Sequence, residues 1–82
     1  MKVLIIEDSP EIVESVTLCF KMFLPEAEVA YSYDGIQGIE LIRMQSFDVV
    51  ILDLNLPEID GLEVLERVRA FSEIPVVILT VR

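Results

Sequence analysis

The sequence contains no histidine, a single cysteine and only six lysine and arginine residues, and each shortage removes a class of function. A lone Cys19 closes no internal disulfide, and without histidine or a second thiol the chain offers no ligand set for a softer transition metal. Fifteen acids against those six bases leave a net charge of −9, which repels a phosphate backbone and excludes nucleic-acid binding. No apolar run approaches the ~18 residues that a membrane span requires, and runs such as Val49-Val50-Ile51-Leu52 end in charge. The apolar opening Met1 to Ile6 meets Glu7-Asp8 too soon for a secretory signal. These absences predict a cytoplasmic chain with no membrane association.

What is present is apolar and patterned. With 54% hydrophobic residues in 82, the chain makes at most one small domain of modest stability. Lys2 to Ile6 reads as a buried strand. Ser9-Pro10-Glu11 then starts a helix with a capping hydroxyl, a proline preset for the first turn and an acid at the positive end of the dipole. That helix stops near Leu24, before Pro25, and the spacing Ile12, Val16, Cys19, Phe20, Phe23 predicts an apolar stripe with Cys19 as a small core residue. Glu28 to Ser32 suits an edge strand, and Asp34-Gly35 precedes a second helix with Ile39 and Ile42 inward. Phe47 to Leu52 lacks alternation, as a strand covered on both faces should, and ends at Asp53. After a loop containing Pro57, Asp60 can cap a third helix with Leu62, Leu65 and Val68 on one face and Glu63 and Arg67 paired outside. Pro75 introduces Val76 to Thr80, read as a fully buried strand. Strands alternating with helices imply parallel pairing and right-handed crossovers.

Parallel strands all finish on one rim, so Glu7-Asp8, Asp53 and Thr80 converge there. With strand order 2-1-3-4, the first and third strands adjoin where the chain reverses direction, and Asp8 faces Asp53. Crowded carboxylates repel unless a proton or cation intervenes. Magnesium suits such a site, because it takes oxygen ligands, keeps several waters and needs only one or two carboxylates. A carboxylate beside it can act as a nucleophile in phosphoryl transfer. Asp53, alone after its strand, is the better nucleophile, and Glu7 with Asp8 forms the metal-binding pair. Thr80 could offer a hydroxyl to a phosphoryl oxygen.

Val3-Leu4-Ile5-Ile6-Glu7-Asp8-Ser9-Pro10, Asp53-Leu54-Asn55-Leu56-Pro57, Asp60-Gly61 and Pro75-Val76-Val77-Ile78-Leu79-Thr80 resemble the successive signatures of response-regulator receiver domains of two-component signalling. The resemblance implies a flavodoxin-like α/β fold and a phosphoryl group accepted on Asp53 from a sensor histidine kinase or phosphotransfer protein. It implies Asp8 as a direct magnesium ligand, Glu7 acting through water, Asn55 giving its backbone carbonyl to the metal, and Thr80 as the switch hydroxyl. Residues 1–82 would then form one receiver domain lacking its last helix-strand-helix portion, including the lysine that pairs with the phosphoryl group. Lys2 and Lys21 lie where neither substitutes. An uncovered fourth strand predicts a homodimer through that edge. Two rivals remain: a phosphorylation-independent interaction domain of the same fold, and a magnesium-dependent phosphatase of haloacid-dehalogenase type. The second resembles Asp-x-Asp where this chain has Asp53-x-Asn55, and Asn55 cannot act as a general acid. The same spacing resembles a calcium loop, but Pro57 occupies the next ligand position.

Overall fold

Strand β1 (Lys2–Ile6) has no solvent face: Val3 and Ile5 point to one side, Leu4 and Ile6 to the other, and all four are fully buried. A strand buried twice must be central and covered by helices on both sides. The computed structural model, which describes residues 1–79, builds this arrangement from β1, α1 (Pro10–Phe23), β2 (Glu28–Ser32), α2 (Gly35–Met44), β3 (Val49–Asp53), α3 (Gly61–Arg69) and β4 (Val76–Leu79). The four strands are parallel in the order β2-β1-β3-β4. The parallel pairing is what the alternation of elements predicts, and the flavodoxin-like sheet with three helices is what the resemblance implies.

Right-handed crossovers then assign the helices. The step from β1 to β2 runs one way across the sheet and the next two run the other way, so α1 lies on one face and α2 and α3 on the opposite face. Two separate cores result. Val3, Ile5 and Val13 form the smaller, with Val16, Phe20, Val29, Val49 and Ile51 around it. Leu4, Ile6, Ile39, Ile42, Val50, Leu52, Val64 and Val68 anchor the larger.

Ser9 and Asp60 cap their helices as expected, and Asp34, read in the sequence only as a break before the second helix, caps as well. The Ser9 hydroxyl accepts from the Ile12 N–H at 3.4 Å, Asp34 Oδ1 accepts from Ile36 and Gln37 at 2.7 and 3.1 Å, and Asp60 Oδ1 accepts from Glu63 at 3.0 Å. Each bond satisfies an otherwise orphaned donor of the first turn. Gly38, an unfavourable residue inside a helix, has a packing reason. A Cβ there would lie 2.5 Å from Ile6 Cδ1, so its absence lets α2 settle onto β1.

Four expectations change. Cys19 is exposed, and Phe23 retains 76% of its exposure, because α1 seats Val13, Val16 and Phe20 on the sheet and turns Cys19 and Phe23 toward its flank. In α3 the buried residues are Gly61, Val64 and Val68, with Leu65 partly buried, while Leu62 faces solvent; the Glu63–Arg67 ion pair forms as expected. Strand β3 begins at Val49 rather than Phe47 and includes Asp53. Upstream of it, Asp48 exchanges hydrogen bonds with the Lys2 backbone, and the Lys2 ammonium stacks 5.0 Å from the Phe47 ring centroid. Strand β4 is no buried strand: Val77 and Ile78 are 54% and 41% exposed, since β3 is its only strand neighbour among the described residues. Thr80 lies outside the described residues.

The register of α3 is testable by truncation. Val64→Ala should lower unfolding stability by about 2 kcal/mol through lost burial and a residual cavity, whereas Leu62→Ala should stay within about 0.5 kcal/mol of the parent. Urea titrations of both variants check this, and the reverse ranking would restore the expected face.

Candidate functional site

Parallel strands deliver their C-terminal ends to one edge, and β1 and β3 adjoin where successive crossovers change direction, the place where open α/β sheets bind ligands. Ile6 pairs with Leu52. The next residue of each strand is therefore Glu7 beside Asp53. One carboxylate oxygen from each of Glu7, Asp8 and Asp53 can be chosen so that all three lie within 4.8 Å of one another. Glu7 and Asp53 are buried, at 2% and 5% exposure, while Asp8 opens to solvent.

The surrounding backbone holds these groups in place. The Glu7 N–H donates to the Ser32 carbonyl at 3.0 Å, which extends the β1–β2 pairing to the rim. Glu7 Oε2 accepts from the Ser9 N–H at 3.0 Å, tying the carboxylate to the residue that also caps α1. Glu7 Oε1 is buried and has no hydrogen-bond partner among the described residues. Burial, opposed by the Ser9 N–H and reinforced by Asp8 and by the charge of Asp53, raises the Glu7 pKa from 4.5 to about 7.

On the β3 side, Asp53 Oδ1 accepts from the Asn55 N–H at 3.1 Å. This turn bond orients the carboxylate and makes Asn55 a backbone participant; its side chain is exposed. Leu56 and Ile59 drop into the larger core, and the Gly61 N–H returns to the Leu54 carbonyl at 3.0 Å, closing the loop. Lys2 lies at the opposite end of β1, where its Nζ donates to Gln45 Oε1 at 2.8 Å, and Lys21 sits in the last turn of α1.

Of the expected site residues, Glu7, Asp8 and Asp53 come together, Asn55 is tied to Asp53 by its N–H rather than by the carbonyl named in the sequence reading, and Thr80 lies outside the described residues. Two participants escaped the sequence reading. Ser9 was legible only as a cap, although its position two residues after Glu7 is the spacing of a side chain bonding a nearby N–H. Gly61 was legible only as part of a motif. The donor set is entirely oxygen, and a buried carboxylate oxygen without a partner calls for a proton or a hard cation.

The family profile described as response regulator receiver domain matches residues 3–82. The cell cycle response regulator CtrA of Brucella ovis is 39% identical over 82 residues, an alignment covering 98% of this chain and 34% of that protein. The receiver domain of Francisella response regulator 1452 superposes with a TM-score of 0.87 at 28% identity, over 96% of this chain and 64% of that one. The bacteriophytochrome response regulator AtBRR gives a TM-score of 0.84 at 33% identity, over 96% and 65%. The chain thus spans about a third of the length of the curated relative and just under two thirds of the receiver structures.

The raised Glu7 pKa predicts an inverted pH dependence of stability in a cation-free solution. Below pH 4.5 Glu7 is protonated whether the chain is folded or not. Between there and about pH 7 the folded form keeps a proton that the unfolded form has lost, so stability falls as pH rises, by on the order of 3 kcal/mol in total. Urea unfolding in chelator from about pH 5 to about pH 8 should show this loss in the parent and much less of it in Glu7→Gln. Equal slopes in the two proteins would contradict it.

Proposed function

The chain belongs to the response regulator receiver domain family, and from that premise we propose that it is the phosphoacceptor module of a two-component system, taking a phosphoryl group on Asp53 from a histidine kinase or phosphotransfer protein. The observation that carries this is the convergence of the Glu7, Asp8 and Asp53 carboxylates at the ends of β1 and β3, with one Glu7 oxygen buried and without a hydrogen-bond partner among the described residues.

The residues present fit magnesium. Asp8 and Asp53 would be direct ligands, Glu7 would act through a bound water, and Asn55 would contribute its backbone carbonyl, giving the oxygen-only shell that this ion requires. When bound, magnesium neutralises charge on the transferring phosphoryl group. The chain's own part is to hold Asp53. With Oδ1 engaged by the Asn55 N–H, Oδ2 is the oxygen that attacks phosphorus. The new P–O bond forms as the P–N bond to the donor imidazole breaks, the electron pair of that bond leaving on the nitrogen, which is protonated from solvent. Thr80 would offer its hydroxyl to the phosphoryl group as the switch residue. The setting is cytoplasmic, in keeping with the kinase partner; no helix among the described residues is long and apolar enough to cross a membrane.

The phosphatase reading is weaker here, because Asn55 offers no proton-donating acid two residues after the nucleophile. The phosphorylation-independent reading is separated by chemistry. Incubation with acetyl phosphate and magnesium should add one phosphoryl group, seen by mass spectrometry, in the parent but not in Asp53→Asn, and Asp8→Asn should weaken magnesium binding in a titration. Modification should be slow in this 82-residue chain, since Lys2 and Lys21 are both far along their elements from the rim. An adduct that persists in Asp53→Asn would exclude Asp53 as the acceptor, and a parent that is never modified would favour the interaction-domain reading.

The protein partner proposed for the isolated chain, besides the kinase, is a second copy. Strand β4 reads Val-Val-Ile-Leu without a charge, and exposed Cys19 and Phe23 extend the apolar flank along α1. Hydrophobic strand edges of this kind pair with other strands. A symmetric dimer joined through β4 should appear in light scattering at high micromolar concentration, and Val77→Lys should shift it toward monomer. A monodisperse parent monomer with a cooperative melt would overturn the dimer.

A further inference from the structure

Gly61 begins α3, yet a side chain there would meet the end of β3 and the residue that follows it. A Cβ at this position would collide with the Asp53 carbonyl oxygen, lie 2.5 Å from Leu54 Cα and lie 3.1 Å from the Asp53 carbonyl carbon. All three are backbone atoms. The other two glycines differ: Cβ atoms at Gly35 and Gly38 would meet only side chains, those of Val64, Ile59 and Leu56 or of Ile6. A side chain can rotate aside, but the Asp53–Leu54 peptide cannot yield without moving the end of β3.

That peptide connects the acceptor carboxylate to the turn that orients it. Asp53 Oδ1 takes the Asn55 N–H at 3.1 Å, one residue beyond the peptide on which Gly61 rests. The Gly61 N–H also donates to the Leu54 carbonyl at 3.0 Å, so the same residue touches the peptide and hydrogen-bonds its continuation. Gly61 is itself buried, as are Leu56 and Ile59 within the loop it closes. The loop therefore has little room in which to absorb a displacement.

We propose that Gly61 is a positioning residue of the acidic site: its bare Cα and its N–H clamp the Asp53–Leu54 peptide, and thereby set the orientation of the Asp53 carboxylate and of the Asn55 backbone. The proposal rests on the reading of Asp53 as acceptor and of the site as a magnesium site. Gly61 touches neither ion nor phosphoryl group and acts only through the backbone it holds. An added methyl would tilt two of the groups that must bind the same ion, in the way that supporting groups around a metal set its affinity.

The test compares Gly61→Ala with Gly38→Ala, which disturbs the core at Ile6 but leaves the Asp53–Leu54 peptide alone. At a temperature where both remain folded, Gly61→Ala should bind magnesium about ten-fold more weakly than the parent and shift the Leu54 and Asn55 amide resonances. Gly38→Ala should lower the melting temperature while keeping the parent affinity and those two resonances. Parent-like affinity in Gly61→Ala, or an equal loss in Gly38→Ala, would overturn the proposal. If the parent itself binds no magnesium, the functional reading fails, and the amide resonances still decide the clamp: unchanged Leu54 and Asn55 signals in Gly61→Ala would refute it. Should Gly61→Ala not fold, hydrogen exchange in the parent decides. A Gly61 amide as protected as those of β3 supports the clamp, and one that exchanges like an exposed loop amide overturns it.

Discussion

The parallel pairing of β1 with β3 is the constraint on which the acidic rim depends. With Ile6 opposite Leu52, the residues that follow are Glu7 and Asp53, although 46 positions separate them in the chain. Strand side chains alternate, so slipping this register by one residue would carry Asp53 to the other face of the sheet and away from Glu7. Burial enforces the register: Leu4, Ile6, Val50 and Leu52 share one core, Val3 and Ile5 the other, and a slip would unseat both together. The geometry of the site is thus guaranteed by apolar residues that take no part in its chemistry.

That guarantee has a cost, which falls on Glu7. The strand that buries its four apolar residues completely also carries the next carboxylate under the surface, where one oxygen meets the Ser9 N–H and the other has no hydrogen-bond partner among the described residues. A buried polar group without a partner costs roughly 1–3 kcal/mol. Burial together with Asp8 and Asp53 makes the charged form of Glu7 unfavourable until a cation or proton arrives. Strain of this sort is expected where a fold keeps a ligand site ready. The larger core, with ten buried residues gathered under α2 and α3, offsets it.

The two faces of the sheet are unequal for a topological reason. Among the described residues only the first crossover runs toward β2, so α1 alone of the described helices covers its face, and it seats Val13, Val16 and Phe20 over β1 and its immediate neighbours. Phe23 and Val77 remain more than half exposed on that side. The receiver structures that superpose on this chain are longer, with the chain covering 64% and 65% of them. The exposed residues of this face and the edge position of β4 both follow from the direction of the crossovers rather than from any one residue.

Element order, helix starts and strand polarity were legible in the sequence, because they depend on local chemistry. Ser9 and Asp60 cap within three residues of themselves, Asp34-Gly35 marks the break before its helix, Pro10 sets its own φ, and unbroken apolar runs before Glu7 and Asp53 announce parallel strands whose acids must share an edge. Tertiary packing decided the rest. A 3.6-residue period defines a stripe but not which of its residues meets the sheet, so Cys19, Phe23 and Leu62 were expected inside and lie outside, with Val13 and Val64 in the core. The unpartnered Glu7 oxygen and the contact of Gly61 with the Asp53 carbonyl likewise arise only when separate segments are brought together. Sequence spacing reports what a residue does to its near neighbours along the chain; what it meets across the fold depends on the register and approach of elements that only the packed structure sets.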